Sequence, residues 1–166
     1  MKTIKKKHSL NNGLIIGKFM PLHSGHLNLI KFGLENCNNI TILLVASHGE
    51  PIDPELRYAW LKEYYKSYTN IFIDVIYRDD INRLPQEKRT AAWCKLIEEK
   101  YTNIDSIVSS ETYGDILAKH LNIKHLKFDH KREITPISAT EIRKNFSAHM
   151  HYLPDNVKSF FKEGQK

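Results

Sequence analysis

Short apolar runs alternate with longer amphipathic stretches along this chain. Leu14-Ile-Ile-Gly-Lys-Phe19 reads as a strand, and Gly25 to Asn36 carries apolar residues at 27, 29, 30 and 34, a helical spacing. Ile40 to Ala46 is nearly all apolar, the pattern of a parallel strand covered on both faces. Pro54 suits the first turn of a helix running to Tyr68, Ile71 to Ile76 is strand-like, and Pro85 opens a helical stretch through Tyr101. Ser106 to Ser109 is a short strand, Tyr113 to Leu121 a helix and Ile123 to Phe128 a fifth strand. Ser138 opens a further helix, and a last one covers Asp155 to Phe161.

Alternation of this kind predicts an α/β fold: a doubly wound five-stranded parallel sheet with helices on both faces. Such sheets bind ligands at the carboxyl ends of the strands, where helix N-termini face a crevice. Residues 1–12 read as a flexible basic arm and 13–166 as one domain, which suits a chain of 166 residues.

A 41% hydrophobic and 27% charged composition excludes a disordered chain. The net charge of +6 favours an acidic partner: nucleic acid, a membrane surface or a phosphorylated small molecule. Its distribution narrows the choice. Residues 1–12 carry +4 from Lys2, Lys5, Lys6 and Lys7, residues 13–117 carry −3, and residues 118–166 carry +5. The apolar runs are too short for a membrane span, and Lys18 interrupts any secretory core after the basic start. Cys37 and Cys94 lie far apart with no CxxC, which suits a reduced cytoplasm rather than a disulfide framework.

Two strings carry candidate chemistry. Gly17-Lys-Phe-Met-Pro-Leu-His-Ser-Gly-His26 follows the first strand and opens the first helix. Gly17 and Gly25 permit close approach of a ligand to backbone, and His23 and His26, three apart at a helix start, can face one point. Imidazoles beside helix N–H groups, with Lys18 adjacent, make an anion site. A zinc site is the weaker reading, because no cysteine or carboxylate accompanies the pair. Ile137-Ser-Ala-Thr-Glu-Ile-Arg143 lies after the fifth strand. Ser138 and Glu141 form a capping box, which leaves Thr140 and Arg143 for phosphate oxygens.

The pattern G-x-F-x-P-x-H-x-G-H, paired with I-S-x-T-x-x-R at the other end of the chain, resembles the nucleotidyltransferase superfamily. That resemblance implies a Rossmann-like sheet and a reaction joining a nucleoside monophosphate to a phosphate-bearing acceptor, with pyrophosphate released. It implies that Lys18, His23, His26 and Arg143 are catalytic, and that Gly17, Phe19, Gly25, Arg57, Ser138 and Thr140 bind ATP and its phosphates. Glu55-Leu-Arg-Tyr-Ala-Trp-Leu61, Ser109-Ser-Glu-Thr-Tyr-Gly114, Asp129-His-Lys-Arg132 and Tyr152-Leu-Pro154 extend the similarity to NadR-type adenylyltransferase domains. Those make NAD from nicotinamide mononucleotide and ATP. Asp80 and Trp93 then look like acceptor-site residues, the indole face suiting a cationic pyridinium ring. Trp93 as a core aromatic, and Asp79-Asp80 as a polar turn, are the bland alternatives.

The resemblance further implies Mg²⁺ carried by the ATP phosphates, no metal ligated by the protein, no nucleic acid, no membrane and a cytoplasmic location; a homo-oligomer is left open. Departures are Ala139 where Gly or Ser is usual, and Phe146 and Met150 where Pro and Trp often stand. No P-loop string follows and the arm is too short for a helix-turn-helix, so the expectation is the transferase module alone. Phosphopantetheine, flavin mononucleotide, a polyol phosphate with CTP, and a non-catalytic nucleotide- or nucleic-acid-binding module stay open as alternatives.

Overall fold

The computed structural model describes residues 8–163. Four of the arm's lysines, Lys2, Lys5, Lys6 and Lys7, therefore lie outside the described residues. The strands are β1 (Leu10–Gly17), β2 (Cys37–Ala46), β3 (Ile71–Tyr77), β4 (Ser106–Ser109) and β5 (Lys124–Lys127). The helices are α1 (Ser24–Asn36), α2 (Pro54–Tyr64), α3 (Asp79–Asn82), α4 (Gln86–Lys100), α5 (Tyr113–Leu121), α6 (Ala139–Lys144), α7 (Phe146–His149) and α8 (Asp155–Glu163). All strand pairings are parallel, in the order β3-β2-β1-β4-β5. The doubly wound α/β expectation holds.

Side-chain alternation divides the core between the two faces of the sheet. Ile15, Ile42, Leu44 and Ala46 join Leu29, Ile30, Trp60, Leu61 and Val157 from α1, α2 and α8. Leu14, Leu43 and Val45 join Cys94, Ile97, Leu117 and Ala118 from α4 and α5. Both cysteines are buried and free. Among the described residues no helix is long and apolar enough to cross a membrane.

β1 begins at Leu10, inside the stretch expected to be arm. Asn11, Asn12 and Gly13 separate Leu10 from the apolar run, so hydrophobic periodicity missed this start. A side-chain ladder replaces the apolar signal: Asn38 Nδ2 donates to Asn11 Oδ1 at 2.8 Å, and Asn39 Nδ2 to Asn12 Oδ1 at 3.2 Å. The Asp105 carboxylate accepts from the Asn11 and Asn12 backbone N–H groups at 2.7 and 2.9 Å. At its other end β1 stops at Gly17, because Phe19 takes a left-handed φ of 50°. α2 ends at Tyr64 rather than Tyr68, with Tyr65 turning into the core.

The chain runs from β1 outward to β3, then returns to place β4 on the other side of β1. That reversal opens a crevice at the carboxyl ends of β1 and β4, between helices leaving on opposite faces.

Candidate functional site

A cavity of about 530 Å³ occupies this crevice. Ile15–Phe19, the start of α1, Asn82, Thr90, Trp93, the 109–113 segment, Asp129, Arg132 and Ser138–Thr140 line it. Gly17, Phe19, Gly25, Lys18, His23, His26, Ser138, Thr140 and Trp93 are thus brought together as expected.

The histidines cap α1 with their own rings. His23 is the N-cap, and its Nδ1 accepts from the Gly25 N–H at 3.0 Å. His26 Nδ1 accepts from the His23 N–H at 3.3 Å, so the pair forms a capping box built from imidazoles. An Nδ1 that accepts carries no proton, which places the ring proton on Nε2. The ring centroids lie 3.8 Å apart, and Phe19 packs 4.7 Å from His26. Burial, reinforced by the field of Arg132, lowers His23 from its ordinary 6.5 to about 4. Burial, then His23 and Arg132, holds His26 well below its ordinary value. Both are neutral near pH 7, so each keeps one ring N–H free to donate. Gly25 is required by this packing: a Cβ there would lie 2.7 Å from His23 Cε1.

Lys18 reaches the cleft mouth half-exposed, with its Nζ 3.0 Å from Glu50 Oε1. Behind it Arg57 is fully buried, ion-paired with Glu50 and donating to the Lys18 carbonyl at 2.8 Å. Burial pushes the Glu50 carboxyl up, but Lys18, the Ser47 N–H and Arg57 together hold it below its ordinary value. Arg57, expected to touch phosphate, instead stands outside the cavity lining as the support of Lys18.

Asp80 also departs from expectation. It is exposed on α3, and Arg78 grips it through Nε and Nη2 at 2.8 and 2.7 Å, lowering it to about 2. The cavity wall there is Asn82, two residues on. Trp93 satisfies both of its readings: half-buried on α4, it packs against the second core cluster and also lines the cavity. Ser138 caps α6, with its Oγ accepting from the Glu141 N–H at 3.2 Å. Arg143 lies just behind that turn, donating to the Met20 carbonyl and, at 3.4 Å, to Thr140 Oγ1. Among the described residues, no group of three or more His, Cys, Asp or Glu converges as a metal site.

The Asp129–Arg132 string, one of those shared with NadR-type domains, takes its role from its backbone. Asp129 and Arg132 both adopt left-handed backbone, at φ 47° and 55°. The Asp129 carboxylate accepts from the Glu133, Ile134 and Thr135 N–H groups at 2.7, 3.0 and 3.0 Å, folding the loop back on itself. Thr135 is tied in turn to Asn28 of α1 at 2.8 Å. The loop thereby presents Arg132 to the histidine pair, the one cleft cation that periodicity and motif reading both passed over.

Two measurements check this geometry. An NMR titration of the histidine rings is expected to find His23 neutral down to about pH 4. The unfolded chain then binds the extra proton first, so this residue's contribution to stability falls as pH drops from 6.5 towards 4. Arg57→Ala leaves Glu50 without its buried partner and is expected to cost about 3–5 kcal/mol of unfolding free energy, read by urea titration.

No family model matches the chain. It is 28% identical over 165 residues to the trifunctional NAD biosynthesis/regulator protein NadR of Escherichia coli K12, covering 90% of this chain and 40% of that protein. The Salmonella typhimurium NadR is 27% identical over 170 residues, covering 91% and 40%. The chain thus spans two-fifths of the length of these curated relatives. Among solved structures, NadR in complex with NAD and AMP-PNP matches at a TM-score of 0.64 and 20% identity, over 87% of this chain and 45% of that one. A bifunctional NMN adenylyltransferase/ADP ribose pyrophosphatase of Francisella tularensis, complexed with AMP and manganese, matches at 0.68 and 19%, over 94% and 50%. The chain thus shares its fold with these solved structures and is similar in sequence to a part of NadR, and both of its signature strings meet at one cleft.

Proposed function

We propose that this domain transfers the adenylyl group of ATP to nicotinamide mononucleotide, forming NAD and pyrophosphate. The observation that carries the reading is the histidine cap. Two neutral imidazoles spend Nδ1 on the backbone and keep Nε2–H as a donor in the cleft they both line. Donors held in place before the reaction stabilise charge developing on a phosphoryl group without reorganisation.

In this mechanism an acceptor phosphate oxygen attacks the α-phosphorus in line, and the bond from that phosphorus to the α,β-bridging oxygen breaks as pyrophosphate departs. The attacking oxygen is already anionic, so no protein base is needed, and catalysis is positioning plus charge stabilisation. Magnesium arrives on the ATP phosphates as part of the substrate. His23 and His26 donate to the oxygens of the transferring phosphoryl group. Lys18, released from Glu50, and Arg132 supply positive charge, while Thr140 and Arg143 hold the outer phosphates. Trp93, fixed by the core beneath it, offers its face to the pyridinium ring. The related protein solved with NAD and AMP-PNP supports nucleotide ligands for this fold.

The deciding experiment measures pyrophosphate from protein, magnesium and ATP with each acceptor in turn: nicotinamide mononucleotide, phosphopantetheine, flavin mononucleotide and, with CTP, a polyol phosphate. Signal with the first alone is expected; silence there and signal elsewhere reassigns the acceptor. Tight, salt-sensitive DNA binding without pyrophosphate release points to the binding module instead. His26→Ala is expected to lower turnover by about 10²–10³ with the circular dichroism spectrum unchanged. Trp93→Ala is expected to raise the acceptor KM more than it lowers kcat; loss of folding instead makes Trp93 a core residue alone.

A further inference from the structure

Outside the histidine cap the most organised polar cluster is at the edge of the cleft. His125 of β5 stands between Ser109, at the end of β4, and Asp115, in the first turn of α5. Ser109 Oγ is 2.8 Å from His125 Nε2, and His125 Nδ1 is 2.7 Å from Asp115 Oδ1. Lys127 Nζ closes the other carboxylate oxygen at 2.9 Å. A carboxylate only accepts, so His125 Nδ1 carries a proton towards Asp115. Nε2 of a neutral ring then accepts the Ser109 hydroxyl.

The arrangement has the order of donors of a Ser–His–Asp triad, but it is not built for a nucleophile. Ser109 is 2% exposed. A Cβ on Gly114 would lie 2.2 Å from Ser109 Oγ and 2.4 Å from His125 Nε2, so the first turn of α5 encloses the hydroxyl. What the hydroxyl does hold is the chain beyond β4. Its single proton is shared in a three-centre contact, since Oγ also lies 3.2 Å from the Glu111 carbonyl, which can only accept. From there three ties join the 109–111 segment to the loop after β5. The Phe128 N–H donates to the Ser109 carbonyl at 3.0 Å. His130 Nδ1 donates to the Ser110 carbonyl at 2.8 Å, and Arg132 Nη2 to Glu111 Oε1 at 3.2 Å. Arg132 Nη1 is fixed to the Ile137 carbonyl at 3.0 Å.

We propose that His125 is a positioning residue for the cleft: through Ser109 it fixes the 109–111 segment, and through Glu111 it sets Arg132 beside the catalytic histidines. The proposal rests on the nucleotide reading for its ligand measurement, and its second measurement is independent of that reading.

Four variants test it: His125→Ala, His125→Gln, His125→Asn and Arg132→Ala, with the His125→Ala/Arg132→Ala double. Gln places an acceptor where Nε2 stood and keeps the Ser109 bond; Asn places a donor where Nδ1 stood and keeps only Asp115. Calorimetric titration with magnesium ATP is expected to show about tenfold weaker binding for Ala and Asn, the worth of one hydrogen bond to a charged group. Gln is expected to stay within about threefold of the parent protein. The double variant is expected to bind no worse than Arg132→Ala alone, because both act through one group. Amide exchange without ligand is expected to quicken over 109–113 and 128–135 in Ala and Asn, with β1 and β2 unchanged. Gln binding as weakly as Ala and Asn, or losses that multiply in the double, overturns the proposal. Unchanged exchange in both loops overturns it equally. If Ala does not fold, the Gln and Asn pair decides. If the parent protein does not bind ATP, the nucleotide reading falls and the exchange pattern alone decides the role of His125.

Discussion

Two imidazoles bonded to the backbone N–H groups they cap set the terms for everything around them. A helix start exposes N–H groups that some acceptor must meet. Here the acceptors are His23 and His26 themselves, and that duty fixes their tautomer, their rotamers and their burial together. It also explains the neighbours. Gly25 is small because the His23 ring lies over it, and Phe19 takes a left-handed backbone that lays its ring against His26. A cap built from Asp would satisfy the same helix and leave nothing to donate. Capping with imidazole meets the structural need on one nitrogen and keeps the other for chemistry.

The two histidines are neutral, and the fold brings positive charge towards them from three directions. Lys18 comes from the end of β1, Arg143 from α6 and Arg132 from the loop after β5. Each is held by a backbone carbonyl or a carboxylate, Lys18 and Arg132 while still about half-exposed. Arg132 contributes twice, since its field helps keep the histidines unprotonated while its own charge faces the same space.

The sheet, its helices and the histidine string were legible because each has a local signature: period two, period 3.6, and a turn rich in glycine at a strand end. What was not legible depends on long-range partners. The polar start of β1 reads as arm until Asp105, ninety residues on, supplies its hydrogen bonds. Arg57 reads as a phosphate ligand until Glu50 and the Lys18 carbonyl are seen to use it, and Asp80 as an acceptor contact until Arg78 does the same. In both cases a charged residue of the right type is bonded within the chain and lies outside the cavity lining. Arg132 was hidden for the opposite reason: its role comes from a loop conformation set by Asp129, which no periodicity records.

The Lys18–Glu50 contact at the cleft mouth has a consequence for selectivity. An anion that takes the ammonium group must displace a carboxylate that a buried guanidinium and the Ser47 N–H both keep ionised. A monoanion trades one partner for an equal one and gains little. A polyphosphate, with several charges within a few ångströms, wins the exchange by a margin that grows with its charge density. At Lys18, then, charge density decides which anion can replace the chain's own carboxylate.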